Sequence, residues 1–305
     1  MIEGAILIAG PTASGKSRLA LEMARENGGT VVNADSMQVY STLRVLTARP
    51  GPEEMALVPH LLYGHVHPGE AYSTGRWLDE VEALVRAGAF AGSRPVFVGG
   101  TGLYFRALTE GLSPMPAVPA SIREGWRQRL AAEGPAELHR VLAERDARAA
   151  AAILPSDGQR IVRALEVEEA SGRSIMDWRE KRGRPLVDEA SATRLLLLPE
   201  REALVANIDR RFEAMMSEGA IDEVHALVEM DLDPAMPAMK AIGVRELAAV
   251  LAGDLEPEDA IARAKAATRQ YSKRQATWFR HQLGPGWQAV KSTDIRPSKV
   301  SINPS

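Results

Sequence analysis

The chain has 305 residues, 45% of them hydrophobic and 25% charged, enough for about two domains or for one core that carries a large insertion. The absence of cysteine excludes disulfides, thiolate catalysis and Cys-ligated zinc, and it fits a reducing, cytoplasmic setting. No apolar run approaches the ~18–20 residues of a membrane span, and the net charge of −3, taken as an average, argues against a nucleic-acid partner.

In chain order, Ala5-Ile6-Leu7-Ile8-Ala9 comes first, a continuous apolar run stopped by Gly10-Pro11. That pattern predicts a strand buried on both faces of a parallel sheet, and it is too short for a signal peptide. A helix is predicted from about Gly15 to Asn27, and a second strand over Thr30–Ala34 ending at Asp35. A third strand, Val96-Phe97-Val98, is introduced by Arg94-Pro95 and closed by Gly99-Gly100. Strands alternating with helices imply βαβ units and an open parallel sheet. From about Pro119 to Glu189 the pattern becomes helix after helix: an Ala-rich run, Arg145–Leu154, stops at Pro155, Ser156 or Asp157 caps the next helix, and Gly172 ends it. Thr193–Pro199 returns as a strand, and about Glu200 to Gln282 is again mostly helical. The last twenty or so residues, rich in Gly, Pro and Ser, read as loop or disordered tail. The fold class expected is therefore α/β, a P-loop NTPase-like parallel sheet core flanked by helices. The core takes residues 1–118 and 191–290, a helical inserted subdomain takes 119–190, and a tail takes 291–305.

The strongest chemical signal is Gly10-Pro11-Thr12-Ala13-Ser14-Gly15-Lys16-Ser17, which fits G-x-x-x-x-G-K-[ST] and lies between a predicted strand and a predicted helix. The two glycines permit a tight loop whose N–H groups converge on phosphate oxygens, and the helix N-terminus adds positive potential. Lys16 supplies a point charge, and the Ser17 hydroxyl can ligate Mg²⁺. Something with two or more linked phosphates binds here. An NTPase would usually carry a metal-binding Asp at the end of an apolar strand, but Val96-Phe97-Val98 ends in Gly99-Gly100. The nearest carboxylate at a strand end is Asp35, which reads either as a helix cap or turn residue or as a general base or metal-site carboxylate at the C-terminal edge of the sheet.

Several further blocks occur in order: Asp35-Ser36-Met37-Gln38-Val39-Tyr40, Pro59-His60-Leu61, Tyr72-Ser73, Val98-Gly99-Gly100-Thr101-Gly102-Leu103-Tyr104-Phe105, Asp157–Val167, Ile242-Gly243 and Gln270–Arg280. With the phosphate loop, they make the chain resemble the bacterial tRNA dimethylallyltransferases, from residue 10 to about 280. The resemblance implies transfer of a dimethylallyl group from dimethylallyl diphosphate to N6 of adenosine 37 in tRNA, releasing diphosphate. The loop would then hold an isoprenoid's leaving group in place of a nucleotide's γ-phosphate. It implies that Asp35 accepts the amine proton, that Lys16, Arg211 and a Mg²⁺ on Ser17 neutralise the diphosphate, and that Thr101 lies near the reacting groups. It places Asp35, Ser36, Met37, Gln38, Thr101, Arg123, Gln159, Arg160, Ile161, Val162 and Arg163 against tRNA, whose adenine must leave its stack. A monomer is expected. The chain departs from the family's pattern where Asp-Ile-Gly-Thr-Ala-Lys-Pro becomes Arg44-Val45-Leu46-Thr47-Ala48-Arg49-Pro50, where Asn207 replaces an arginine, and where His60 stands alone in place of two histidines.

Between residues 260 and 291 there are seven Lys and Arg and no Asp or Glu. On a helical wheel Lys265, Arg269, Lys273 and Arg280 fall within about 80° of one another. Ala260, Ala264, Ala267, Tyr271 and Trp278 take the opposite arc, expected to pack on the core. A basic stripe over an apolar face is the footprint of phosphate-backbone binding, and its bland alternative is a solvated helix face. Arg160 and Arg163 could clamp the tRNA from the inserted subdomain, or Arg163 could simply pair with Glu166 three residues on. His60, His65 and His67 look like a metal cluster, and period-2 spacing puts His65 and His67 on one strand face, but without a third convincing ligand they read as polar strand residues. Two other readings compete with prenyl transfer: a small-molecule or nucleotide kinase, and an RNA-binding NTPase without group-transfer chemistry.

Overall fold

The computed structural model describes residues 1–181, 183–291 and 297. The elements run β1 (Ile6–Ala9), α1 (Lys16–Glu26), β2 (Gly29–Asn33), α2 (Pro52–Leu57), β3 (His60–Leu61), α3 (Thr74–Arg86), β4 (Arg94–Gly99) and α4 (Gly102–Glu110). Four helices follow, α5 (Ala120–Arg145), α6 (Ala147–Ala152), α7 (Gly158–Ser171) and α8 (Ile175–Glu180). The chain then forms β5 (Thr193–Leu197), α9 (Arg201–Ser217), α10 (Ala220–Val228), α11 (Val244–Leu251), α12 (Pro257–Gln282) and β6 (Gln288–Val290). No described helix is long and apolar enough to cross a membrane.

The chain divides into two compact units, Met1–Thr109 with Pro185–Ser305, and Glu110–Arg184, so the insertion begins and ends a few residues before the 119 and 190 read from the sequence. In the larger unit all six strands are parallel, in the order β3-β2-β4-β1-β5-β6. The apolar runs become strands because each is buried on both faces. Along β1, Ile6 and Ile8 meet Leu19, Ala20 and Met23 of α1, while Leu7 and Ala9 face a second cluster with Phe97, Trp77, Tyr104 and Phe279. Each such fully buried Leu, Ile or Phe contributes ~1.5–3 kcal/mol relative to exposure. A third cluster, around Tyr40, Leu46, Phe212, Val224 and Leu247, gathers α9 to α12 against the segment after β2.

The edge strand β6 corrects the expectation of loop over the last twenty or so residues. Gln288–Val290 pairs in parallel with Leu195–Leu197, so a sheet edge supplied the partner that this polar, Gly-rich stretch does not advertise. Beyond Val290 the expected tail lies, apart from Lys291 and Pro297, outside the described residues. Residues 65–67 are likewise no strand: Val66 makes an isolated bridge to Tyr40, His65 pairs with Glu80 (2.8 Å) and His67 accepts from Gly69 N.

The smaller unit packs α5 to α8 around Trp126, Leu138, Leu142, Ile161 and Leu165. Its boundaries follow the local signals. Asp157 caps α7 by accepting from Arg160 N, Gly172 closes it in the left-handed region, and α5 is broken by non-helical Gly134 before Pro135.

Candidate active site

Because the parallel strands are in register, Ala9 with Gly99 and Asn33 with Val98, the loops after β1, β2 and β4 meet at the C-terminal edge of the sheet. The first is the phosphate loop. It closes through Gly15 at φ 86°, a left-handed conformation that glycine adopts without strain, and α1 starts at once with Lys16. The first turn of a helix leaves its N–H groups without intrahelical acceptors, so they remain for an anion.

Side chains far away in sequence pin this loop. Gln275 of α12 accepts from Thr12 N (2.9 Å) and donates to Gly100 O (2.9 Å), tying the phosphate loop to the loop after β4. From α9, Asn207 donates to Ala13 O (3.3 Å) and Arg211 donates to Thr12 Oγ1 (2.5 Å). Lys16 Nζ rests on Pro11 O at 3.2 Å. Burial lowers the Lys16 pKa to about 8, opposed by the attraction of Asp35 and helped by repulsion from Arg211. Burial also lowers the Arg211 pKa, again with Asp35 opposing. Two desolvated cations facing one carboxylate leave net positive charge where a phosphate group would enter.

Asp35 is held by its own turn and by Asn33. Asn33 Oδ1 accepts from Asp35 N (2.8 Å), while Asn33 Nδ2 donates to Asp35 O and Leu62 O (2.9 Å each). Asp35 Oδ1 accepts from Met37 N (3.0 Å), so one oxygen is committed to its own turn. Thr101 Oγ1 accepts from Ser36 N (2.9 Å) and donates to Ser36 Oγ (3.3 Å), joining the loops after β2 and β4. Beneath, Trp77 donates to Asn33 O (2.8 Å) and stacks on Tyr104 with ring centroids 4.2 Å apart.

The Gly99-Gly100-Thr101-Gly102 run is explained by contact. A Cβ on Gly99 would lie 1.9 Å from Ala34 O, one on Gly100 would lie 2.3 Å from Gln275 Nε2 and 3.1 Å from Asp35 Oδ2, and one on Gly102 would lie 2.1 Å from the Trp278 ring. Each glycine lets one element close on the carboxylate. A cavity of about 280 Å³ opens beside it, with Thr12, Asp35, Arg211 and Tyr271 on its polar wall and Leu46, Ile208, Phe212 and Met215 on its apolar one. A wider depression of about 620 Å³ lies among Gly29, Thr30, Pro59 and Ser93, at the opposite strand ends, where open α/β sheets do not place their sites.

Two family models cover this chain, one described as "IPP transferase" over residues 38–282 and one as "Isopentenyl transferase" over residues 3–62. The chain is 62% identical over 288 residues to the tRNA dimethylallyltransferase of Chelativorans sp. (strain BNC1), covering 94% of this chain and 99% of that one. It is 59% identical to the tRNA dimethylallyltransferase of Mesorhizobium japonicum, covering 96% and 91%. The chain belongs to the tRNA dimethylallyltransferase family. It is thus a transferase of the prenyl-transfer class that modifies tRNA. The full-length tRNA isopentenylpyrophosphate transferase of Bacillus halodurans has a similar crystal structure, with a TM-score of 0.68 at 32% identity over 97% of this chain and 92% of that one. A eukaryotic dimethylallyltransferase acting on tRNA gives a TM-score of 0.81 at 28% identity, over 95% of this chain and 74% of that one.

The chain's departures from the family pattern have structural counterparts. The backbone N–H groups of Arg44, Val45 and Leu46 all donate to the Glu223 carboxylate (2.9, 2.6 and 3.1 Å), which fixes this turn. Leu46 is buried against Gly243 and lines the cavity. His60 bonds to Val58 O (2.8 Å), and among the described residues no group of three His, Asp or Glu could hold a metal.

The tRNA-facing residues expected from the sequence fare unequally. Ser36 and Met37 border the cavity with Asp35, but Gln38 is buried and its amide donates to Thr47 O and Ala48 O. In the inserted unit Arg123 and Gln159 are exposed. Arg160 pairs with Asp157 (3.0 Å) and Arg163 with Glu166 (3.2 Å), the local alternative for the latter. Ile161 and Val162 are buried in that unit's core, so their side chains are not available to tRNA, a correction imposed by the α7 stripe they belong to. On α12 the buried face is Ala260, Ala264, Thr268, Ser272, Gln275 and Phe279, rotated from the arc expected through Ala267, Tyr271 and Trp278. The rotation puts Gln275 on the phosphate loop. Lys265 and Arg269 of the basic stripe are bonded to Glu213 and Asp209 of α9 (2.6 Å each), whereas Lys273 and Arg280 are exposed.

Sequence reasoning missed Gln275, Asn33 and Trp77 as parts of the site. Gln275 lay inside a quoted motif, but nothing local distinguishes a buried bridging glutamine from a surface one.

Proposed function

We propose that the enzyme transfers the dimethylallyl group of dimethylallyl diphosphate to N6 of adenosine 37 in tRNA. The observation that carries this reading is the position of Asp35, fixed by its own turn and by the Ser36–Thr101 link, against a phosphate loop ringed by Lys16 and Arg211. In the step, N6 of the extruded adenine attacks the allylic carbon C1. The C1–N bond forms as the C1–O bond breaks, the electron pair leaves with the diphosphate, and the amine proton passes to the Asp35 carboxylate. The N–H groups where the loop enters α1, at Gly15, Lys16 and Ser17, with the Lys16 and Arg211 side chains, stabilise the charge that develops on the leaving group. The apolar wall of Leu46, Ile208, Phe212 and Met215 suits a short isoprenoid and excludes water from the allylic carbon.

Magnesium fits the donor set. Ser17, exposed on the first turn of α1, would hold the ion by its hydroxyl, and the ion would supply charge that screens the diphosphate. The exposed Arg123 and Lys273 are suited to tRNA phosphates, and Lys265 and Arg269 become available as their carboxylate partners exchange for phosphate. A tRNA substrate with a cysteine-free sequence supports work in the cytoplasm.

Incubation with dimethylallyl diphosphate and unmodified tRNA should yield prenylated adenosine in the anticodon loop. ATP-dependent phosphorylation without prenylation would instead favour a kinase, a reading that the Gly99-Gly100 end of β4 already disfavours.

A further inference from the structure

The cavity beside Asp35 has an open end and a closed one. Lys240 and Arg274 line it and are exposed, so they mark its rim, whereas Leu46, Phe212 and Met215 line it and are only 8%, 4% and 4% exposed. These three also belong to the cluster that includes Val224 of α10 and Leu247 of α11, so packed core lies behind them. The loop that carries Leu46 is tied on two sides. The N–H groups of Arg44, Val45 and Leu46 donate to the Glu223 carboxylate, and the Gln38 amide donates to Thr47 O and Ala48 O. At Gly243, which precedes α11 with φ 97°, an added Cβ would lie 3.0 Å from Leu46 Cδ2 and 3.5 Å from Phe212 Cε2. Both side chains therefore close on the bare backbone of Gly243, and neither retreats without opening the core.

We propose that Leu46 limits the length of the isoprenoid that the enzyme transfers, by closing the apolar end of the cavity behind a five-carbon chain. This rests on the reading of the apolar wall as the place of the dimethylallyl group. With the diphosphate drawn to Lys16 and Arg211, the allylic carbon faces Asp35 and the branched end of the chain meets the wall. A ten-carbon geranyl donor would react by the same step: the C1–N bond forms as the C1–O bond breaks, diphosphate leaves with the electron pair, and the amine proton passes to Asp35. The chemistry at C1 therefore does not tell the two donors apart, and only the room beyond C1 does. Forcing extra methylenes into a close-packed wall drives side chains off their rotamers or shifts backbone, and the backbone at Leu46 is tied to Glu223.

Prenylation of unmodified tRNA with dimethylallyl diphosphate and with geranyl diphosphate, the products identified by mass, tests this directly. The unaltered enzyme should favour the five-carbon donor by about 100-fold or more in kcat/KM. Leu46→Ala should move that ratio toward the ten-carbon donor by at least about tenfold, chiefly through a lower KM for geranyl diphosphate. Leu46→Val, a smaller truncation, should move it the same way by less, and it decides the matter if the alanine variant does not fold. Val224→Ala takes bulk from the same core without lining the cavity, so it should lower the thermal midpoint and leave the ratio where it was. A ratio unmoved by the folded Leu46 variants overturns the proposal. So does geranyl transfer by the unaltered enzyme at the five-carbon rate, or an equal shift in Val224→Ala. An unaltered enzyme that prenylates tRNA with neither donor overturns the reading of the site itself, and this inference with it.

Discussion

The phosphate-loop edge of the sheet and the inserted helical unit use charge in opposite ways. In the helical unit arginines are neutralised close to home: Arg129 by Glu133, Arg140 by Glu137 and Glu144, Arg160 by Asp157, Arg163 by Glu166. Such pairs are worth only a few tenths of a kcal/mol each and leave little net field. At the sheet edge Lys16 and Arg211 are desolvated together with Asp35 opposing both, and polar side chains there bond mainly to backbone. Local pairing makes a soluble surface, whereas unbalanced, partly buried cations hold an anion site ready at a cost in desolvation.

Changes to the sheet edge should break function, and changes to the paired surface should not. The largest effect is expected for Asp35→Ala. Its single-turnover prenylation rate should drop by the ~10²–10⁴-fold typical of losing an acid–base group, with tRNA affinity changed much less. Unimpaired turnover would remove Asp35 from the chemistry. Next comes Gly99→Ala, whose methyl would sit 1.9 Å from Ala34 O and force β4 away from the Asp35 loop. Denaturant melts should show a loss of ~2–3 kcal/mol, and a wild-type midpoint would contradict the close approach. Gln275→Leu should cost ~1–3 kcal/mol by leaving Thr12 N–H and Gly100 C=O without their partner, and should raise the donor KM as the phosphate loop loosens.

A milder perturbation is pH. The free enzyme's Lys16 loses its proton at about pH 8, whereas bound diphosphate favours the charged ammonium, so the complex holds more protons than the free enzyme above that pH. Diphosphate affinity should therefore weaken as pH rises through about 8, and binding in that range should take up protons, which calorimetry in buffers of differing ionisation enthalpy detects. The smallest effects belong to the basic stripe. Lys273→Gln should flatten the salt dependence of tRNA binding by about one phosphate contact, and Lys265→Gln or Arg269→Gln by less, because Glu213 and Asp209 already offset those charges. Equal slopes for all three would show that the α9 acids play no part.

Where a residue's partner lies within a few positions, the sequence was a sufficient guide. The strand Ile6–Ala9, the turn at Gly15 and the Gly172 stop follow from short-range sterics and hydrogen bonding, and the Asp157 cap and the Arg163–Glu166 pair were each one of two alternatives that the sequence offered. The Gly10–Ser17 motif was legible for the same reason, a contiguous turn between a strand and a helix, whereas the Gly99–Gly102 run is explained only by its contacts with Ala34, Gln275 and Trp278. Tertiary structure decided the rest. Gln275 meets Thr12 across 263 residues of chain, the acids that neutralise Lys265 and Arg269 sit on another helix, and β6 becomes a strand because an open sheet edge awaits it. The 32 residues free of Asp and Glu thus said what charge α12 carries, while the rotation of that helix in the core decided which side chains reach the phosphate loop and which cations are already paired. Burial energy acts on whole faces and is blind to sequence separation, so it could be settled only once the faces had met.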